Sequence, residues 1–377
     1  MRFSEQDARF MARAIQLAKK GLYTTHPNPR VGCVIVKDND IISEGFTSPV
    51  GQAHAEVNAL RGLSLEQTTG ATAYVTLEPC SHTGRTPPCS QALITSCVAR
   101  VVVATQDPNP QVSGSGLKQL EEAGIEVSVG LMEEQSKALL NGFIKRMETG
   151  LPWVSVKLAM SLDGRTAMAS GESKWITGPD ARRDVQFLRA KSSAVLTGLG
   201  TVLADDPSMN VRLNHVELDV PEVRQPVRVI LDPQCDTPPE SKLFSLDGDV
   251  WIVTSQSDSS KAQVLSAKGA EIIQVDSEHA ERLPLLEVCR ELAKREINEV
   301  HVEAGATLCG AFIQEGLVDE LVIYMAAHLM GSEARGLLNM PGLDKMSDRT
   351  ELQIKDIRAI GDDWRIIALP KLKPSAL

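Results

Sequence analysis

The chain of 377 residues is longer than one hydrophobic core usually spans, so two domains are the first expectation. Its 42% hydrophobic and 23% charged residues give an ordinary globular balance, which excludes a wholly disordered, collagenous or coiled-coil chain. With 39 basic against 49 acidic side chains the net charge is −10; this repels a polyphosphate backbone and argues against a general nucleic-acid binder, while leaving room for a local basic pocket for one small phosphate.

The opening Met1-Arg2-Phe3-Ser4-Glu5-Gln6-Asp7 has no apolar stretch behind a basic start, so it does not read as a signal peptide. Ser4 is placed to cap a first helix with Ala8, Met11, Ala12, Ile15 and Ala18 on one face and Gly21 at its end. Strands over 31–36, 73–77 and 101–105 alternate with helical stretches over 55–60, 90–97 and 116–123, the pattern of an α/β layered sheet. A long helix over 133–147 closes this half. Thr149-Gly150-Leu151-Pro152 then punctuates the chain, which sets the expected domains at 1–149 and 150–377.

The second half continues in the same style. Strands are expected over 154–158, 194–197, 227–231, 250–254, 300–303 and 320–327, and helices over 179–189, 285–295 and 307–315. The polar, proline-bearing segment 214–226 reads as a surface loop. The apolar run 321–327, with Met330 beyond it, reads as a sheet edge or a subunit contact; it is strand-sized, far short of a membrane span. The chain is thus expected to form two α/β domains of unequal size. Its seven cysteines, without a signal, suit the reducing cytosol and suggest metal or catalysis before disulfides.

Three features of the first half converge on metal chemistry. His54-Ala55-Glu56 opens a helix, Pro79-Cys80 ends a strand, and Cys89 follows a loop rich in glycine and proline. One imidazole and two thiolates suit Zn²⁺ and leave a fourth position for water. The metal lowers that water's pKa towards neutrality, and a glutamate beside the histidine carries the proton without ligating. His-x-Glu followed by Pro-Cys is the signature of zinc-dependent nucleobase deaminases. The short form of the signature has its second cysteine three residues after the first, where this chain has Thr83; a longer loop spans the gap at modest entropic cost. Taken singly, each residue also reads as an ordinary buried cysteine or histidine, and His82 in the loop is an alternative ligand.

The stretch His26-Pro27-Asn28-Pro29-Arg30-Val31-Gly32, the His54-Ala55-Glu56 triplet, the run Thr76-Leu77-Glu78-Pro79-Cys80-Ser81-His82-Thr83-Gly84-Arg85-Thr86-Pro87-Pro88-Cys89 and Asp107-Pro108-Asn109-Pro110 closely resemble the bifunctional riboflavin-biosynthesis deaminase/reductases. That family joins a diaminohydroxyphosphoribosylaminopyrimidine deaminase to a 5-amino-6-(5-phosphoribosylamino)uracil reductase, and the resemblance covers nearly the whole chain. It implies an N-terminal cytidine-deaminase-like three-layer domain and a C-terminal dihydrofolate-reductase-like domain, the first using Zn²⁺ and the second NADPH. It makes His54, Cys80 and Cys89 the zinc ligands, Glu56 the proton shuttle and Asn28 a substrate contact. Many relatives carry a histidine after the Gly-aromatic pair; here Gly45-Phe46 is followed by Thr47.

In the second half, Glu303-Ala304-Gly305-Ala306-Thr307-Leu308-Cys309-Gly310 follows an apolar strand and opens a helix, where small residues let backbone N–H groups approach a phosphate. It lacks the Gly-x-Gly-x-x-Gly fingerprint, so a plain strand-to-helix turn is an equal reading on the motif alone. The runs from Lys157 to Arg165, Ser173 to Thr177 and Thr201 to Pro207 resemble the family's reductase domain. The resemblance implies cofactor contacts at Ala159, Trp175, Thr201, Asp205 and the turn Gly305, Ala306, Thr307, Leu308, Cys309, Gly310 and Ala311. It implies substrate contacts at Ser173, Arg189, Met209, Arg212 and Glu303, with Arg189 and Arg212 as a fork for the substrate phosphate. Asp205 is the candidate general acid beside the nicotinamide, and Lys157 and Asp163 are candidates for holding the loop that frames the site.

The expected function is therefore hydrolytic deamination of a phosphoribosylated pyrimidine followed by NADPH-dependent reduction of its ribosyl group, in a cytoplasmic homodimer or higher homo-oligomer with no nucleic-acid or membrane partner. One rival is a nucleic-acid base deaminase, against which stand the net charge and an aromatic content of 4%. In another, the C-terminal half is a nucleotide-binding module without turnover.

Overall fold

The computed structural model describes residues 3–81, 87–109, 112–279 and 281–371. The chain divides into two compact units, Met1–Gly150 with Asp219–Pro221, and Leu151–Leu218 with Glu222–Leu377.

The first unit begins with the helix Glu5–Ala18, capped as its sequence suggests: the Asp7 N–H donates to Ser4 Oγ (3.0 Å), and the Ser4 N–H to the Asp7 carboxylate (2.9 Å). Five strands follow, β1 (Gly32–Lys37), β2 (Asp40–Phe46), β3 (Thr72–Leu77), β4 (Arg100–Thr105) and β5 (Glu126–Val129), in the order β2-β1-β3-β4-β5. β1 is antiparallel to β2 and β3, and β3, β4 and β5 run parallel. Alternation along β1 sends Val34 and Val36 into a core with Met11, Ala14 and Ile15 of the first helix. Cys33 and Ile35 point the other way, to Ala55, Ala59, Leu93 and Leu120 of the helices Ala55–Leu60, Cys89–Thr95 and Ser115–Glu122. The result is a three-layer α/β/α unit.

The single long helix expected over 133–147 is two, Glu133–Lys137 and Asn141–Thr149. Leu131 and Leu139 pack with the core on the first helix's face of the sheet, whereas Leu140 and Phe143 pack on the opposite face. A segment that serves both faces has to turn between them, and a continuous helix would not.

The second unit holds β6 (Trp153–Ser161), β7 (Arg165–Ala167), β8 (Ala194–Gly198), β9 (Val227–Leu231), β10 (Val250–Thr254), β11 (Ala270–Gln274), β12 (Glu299–Val302), β13 (Glu320–Ala326), β14 (Arg335–Gly336), β15 (Leu352–Ile360) and β16 (Asp363–Pro370). Nine of them form one sheet, β11-β10-β9-β8-β12-β6-β13-β16-β15, parallel from β11 to β13 and antiparallel through β16 and β15; β7 and β14 pair separately. One face packs Val154, Val156, Val300 and Val302 against the helices Leu285–Lys294 and Ala306–Gln314. The other carries two apolar patches, around Ile230, Ile252 and Leu265 and around Val185, Val322 and Tyr324.

Two expectations are corrected here. The run 321–327 is neither an edge nor a free surface: β13 lies inside the sheet between β6 and β16. The two strands that extend the sheet beyond it differ: β15 alternates Leu352-Gln353-Ile354-Lys355 yet is mostly exposed, and β16 carries the apolar run Ile366-Ile367-Ala368-Leu369. Segment 214–226 is not a plain surface loop; it contains the short helix His215–Leu218 and buries Leu218 and Val220.

Candidate active sites

In the first unit, His54 is the N-cap of helix Ala55–Leu60, in extended backbone, so its ring stands at the helix start and Glu56 in the first turn. The Asn58 amide ties this helix to the end of β2, donating to the Phe46 carbonyl (2.8 Å) and Ser48 Oγ (2.9 Å). Gly45 is required there, because a Cβ would come 2.3 Å from the Ala55 carbonyl oxygen. Cys80 lies just beyond β3, and Cys89 opens the next helix.

These residues converge. His54 Nδ1 lies 3.6 Å from Cys80 Sγ and 3.3 Å from Cys89 Sγ, and all three donor atoms lie within 4.8 Å of one another. Tetrahedral zinc with ordinary N and S bond lengths sets neighbouring ligands about 3.5 Å apart, so the donor set fits Zn²⁺ in both chemistry and spacing. His82, the alternative ligand, lies outside the described residues.

The Cys89 thiol and backbone N–H (3.3 Å) turn toward Cys80 and lower its pKa to about 4, His54 adding to the effect; the Cys89 thiol is pushed far up in return. Hydrogen bonding to Cys80 raises His54. Glu56 is 3% exposed, and burial, with the Cys80 charge added, pushes it up to about 7.

One residue of this site escaped the sequence reading. The Glu78 carboxylate, 3% exposed, accepts the N–H groups of Gly116 (2.9 Å), Gly114 (3.0 Å), Asp107 (3.2 Å) and Leu117 (3.4 Å). Gly116 lets the two segments meet, since a Cβ there would stand 2.0 Å from the Pro79 carbonyl oxygen. Glu78 therefore fixes the turn that presents Cys80; the available signal was a carboxylate directly before Pro-Cys at a strand end. Asn28 is half-buried before β1, its N–H donating to the Thr25 carbonyl (2.8 Å). Thr47 is buried and bound to both the N–H (3.1 Å) and carbonyl (3.4 Å) of Val31, so it joins β1 to β2.

In the second unit the central strands end in charge. Arg189, in helix Pro179–Lys191, grips Glu303 in a fork: Nε to Oε1 at 2.5 Å and Nη2 to Oε2 at 2.9 Å, with Nη1 on the Asn210 carbonyl (2.9 Å). Burial alone would raise Glu303, but the Arg189 charge outweighs it and holds the carboxyl well below the usual range. Of the two arginines expected as a phosphate fork, Arg189 is tied to Glu303, as a guanidinium buried this far needs a carboxylate. Arg212 is exposed, with burial of part of its side chain and the Arg189 charge both lowering its pKa. Lys157, half-buried, is lowered by desolvation and lies in the field of Glu303 and Arg189, so it belongs to this cluster and not to a loop. Asp163 does hold a loop, accepting the N–H groups of Met330 (3.1 Å) and Gly331 (2.8 Å).

Asp205 ends helix Leu199–Asp205 and pairs with Lys174 Nζ at 3.0 Å. Trp175 is 70% exposed, with the Arg182 guanidinium 4.5 Å from its ring centre. Ala159, Ser173 and Thr201 are half-buried, and Met209 is buried in a left-handed backbone conformation. Gly305 caps helix Ala306–Gln314, with open space where a side chain would stand. Thr307 faces out, Ala306, Leu308 and Ala311 are half-buried, and Cys309 and Gly310 turn inward. Such a helix start presents free N–H groups to an anion.

Residues 4–105 match the family model of the cytidine and deoxycytidylate deaminase zinc-binding region, and residues 152–366 that of the RibD C-terminal domain. The riboflavin biosynthesis protein RibD of Escherichia coli (strain K12) is 51% identical, over 95% of this chain and 98% of that protein. RibD of Haemophilus influenzae is 52% identical, over 98% and 99%. Among solved structures, Acinetobacter baumannii RibD (form 1) superposes with a TM-score of 0.89 at 47% identity, covering 98% of this chain and 99% of that one. The diaminohydroxyphosphoribosylaminopyrimidine deaminase/5-amino-6-(5-phosphoribosylamino)uracil reductase of Thermotoga maritima does so at 0.83 and 34%, covering 97% and 99%.

Proposed function

Because the chain belongs to the RibD family of bifunctional riboflavin-biosynthesis enzymes, we propose that its two reactions divide at the 149/150 boundary, with deamination carried out by 1–149 and reduction by 150–377. The enzyme is a hydrolase and an oxidoreductase acting on phosphoribosylated pyrimidines. It removes an amino group from 2,5-diamino-6-ribosylamino-4(3H)-pyrimidinone 5′-phosphate as ammonia, then reduces the ribosyl group to ribityl with NADPH.

The observation that carries the first assignment is the convergence of His54, Cys80 and Cys89 around one point with Glu56 beside them. His54, Cys80 and Cys89 hold the zinc, which when bound supplies the Lewis acidity that makes water a nucleophile near neutral pH. Glu56 takes up a proton at its carboxylate and hands it to the departing amino nitrogen. Asn28 offers an amide donor and acceptor to the substrate's edge.

In the second unit, NADPH supplies the hydride for the sugar carbon, and the chain supplies alignment. Ala159, Trp175, Thr201, Asp205 and the turn from Gly305 to Ala311 hold the cofactor. Glu303, kept ionised and oriented by Arg189, faces the ribose hydroxyls. Arg212, whose guanidinium is exposed, meets the substrate phosphate, and Ser173 and Met209 complete the pocket. Asp205, paired with Lys174 at 3.0 Å, is also the candidate general acid beside the nicotinamide.

A homodimer or higher homo-oligomer is the further expectation, dimers being the common soluble assembly. No helix among the described residues is long and apolar enough to cross a membrane; the cytoplasm is the compartment this reading expects, with all seven cysteines free. The test is Glu56→Gln: metal analysis should show zinc retained and ammonia release should be abolished, while NADPH oxidation with the deaminated intermediate persists. Loss of zinc from this variant would make Glu56 a ligand and overturn the assignment.

A further inference from the structure

β12 has two chemically different faces. Val300 and Val302 enter the apolar core, while His301 points to the side on which Glu303 also emerges. In a parallel sheet covered on both faces, central strands are ordinarily apolar throughout. His301 is 1% exposed, in register with Ser155 of β6 and Val195 of β8. Its Nε2 lies 3.5 Å from Glu303 Oε1 and has no hydrogen-bond partner among the described residues. The hydroxyl of Thr197, fully buried on β8, is likewise without one. A buried polar atom left unpaired costs stability, and native proteins keep few of them.

We propose that His301 is a positioning residue for the reduction, its neutral imidazole standing with Nε2 3.5 Å from Glu303 Oε1, poised to donate an Nε2–H when substrate draws the carboxylate into place, while Arg189 grips that carboxylate. This rests on the reading of Glu303 as a substrate contact. A bidentate fork holds a carboxylate in place within its plane but leaves it freer to tilt out of that plane. A donor poised beside Oε1 limits that tilt, and Glu303 then meets the ribose in one orientation. The imidazole suits this place because it donates without adding positive charge to a site that already holds Arg189 and Lys157. Burial holds it down to about 4, Arg189 and Lys157 adding to the effect and Glu303 opposing it, so it is neutral at physiological pH.

The test uses the full-length enzyme and steady-state NADPH oxidation with the deaminated intermediate, alongside thermal unfolding. His301→Leu fills the space without a donor, and His301→Gln returns an N–H near the Nε2 position. The proposal expects His301→Leu to raise KM for the intermediate about tenfold or more, with the unfolding midpoint kept or raised, and His301→Gln to recover most of the loss. A normal KM and kcat in His301→Leu would overturn it, as would equal damage in the two variants at equal thermal midpoints. Glu303→Gln separates the underlying reading: an unchanged KM there removes Glu303 from the substrate site, whereas a raised KM there with normal His301→Leu kinetics refutes only the role of His301.

Discussion

Replacing Glu78 by glutamine perturbs the zinc site without touching a ligand. The carboxylate accepts two N–H groups on each oxygen, from Gly116 and Leu117 on Oε1 and from Asp107 and Gly114 on Oε2. Glutamine keeps one oxygen and sets an NH₂ group against the other two donors. Two charge-assisted bonds are then lost, at about 1.5–3 kcal/mol each, and their N–H groups are left facing a donor, so the cost is about 3–6 kcal/mol. Against a domain stability of roughly 5–15 kcal/mol this is a large fraction. A calorimetric scan should show the first unit's transition lowered by roughly 10 °C or more. Zinc content and ammonia release should fall with it, because the turn released is the one presenting Cys80, while NADPH oxidation with supplied intermediate continues. A Glu78→Gln protein with wild-type unfolding and full zinc would show that the four bonds do not position Cys80.

Cys89→Ser should lower zinc content measured by metal analysis; full occupancy would pass the third ligand position to another residue, His82 first. Arg212→Ala should raise KM for the deaminated intermediate about tenfold or more through loss of a charge-assisted phosphate contact, while ammonia release from the first substrate keeps its rate; an unaltered KM removes Arg212 from the site. His301 titrates lower in the folded chain than its ordinary 6.5, so the folded state binds fewer protons between about 6.5 and 4. Its contribution to stability is full above pH 6.5 and declines as pH falls towards 4, by about 3 kcal/mol at the end of the window. Denaturant midpoints at pH 7 and pH 5 should differ less in His301→Gln than in the parent, and equal pH slopes would refute this.

How legible these features were in the sequence depended on how they were encoded. The layered α/β halves were legible because β1, β3, β4 and β9 are apolar runs and Ser4 marks its helix start. β2 and β5 went unread as edge strands, β2 interrupted by Ser43-Glu44-Gly45 and β5 only four residues long; β15 and β16 do carry apolar patterns, Leu352-Gln353-Ile354-Lys355 and Ile366-Ile367-Ala368-Leu369, and were missed. The donors His54, Cys80 and Cys89 were readable because metal chemistry restricts which side chains serve. The support at Glu78 was not: its bonds reach backbone 29 to 39 positions along the chain, and no local spacing announces a partner that folding brings in. The pairing of Arg189 with Glu303, separated by more than a hundred positions, was hidden for the same reason.

Both elements that present the metal donors are seated by main chain against main chain, through Gly45 under helix Ala55–Leu60 and Gly116 against Pro79. A frame of this kind has few rotamers left to freeze when an ion arrives, so the ordering entropy falls on folding and not on metal capture. The centre is in that sense a socket and not a clasp. In small zinc modules the ion substitutes for a core and its removal unfolds the chain; here two apolar cores enclose the sheet independently of the metal. Metal affinity and fold stability are then separable quantities, and selection can tune how tightly the ion is held without redesigning the domain that holds it.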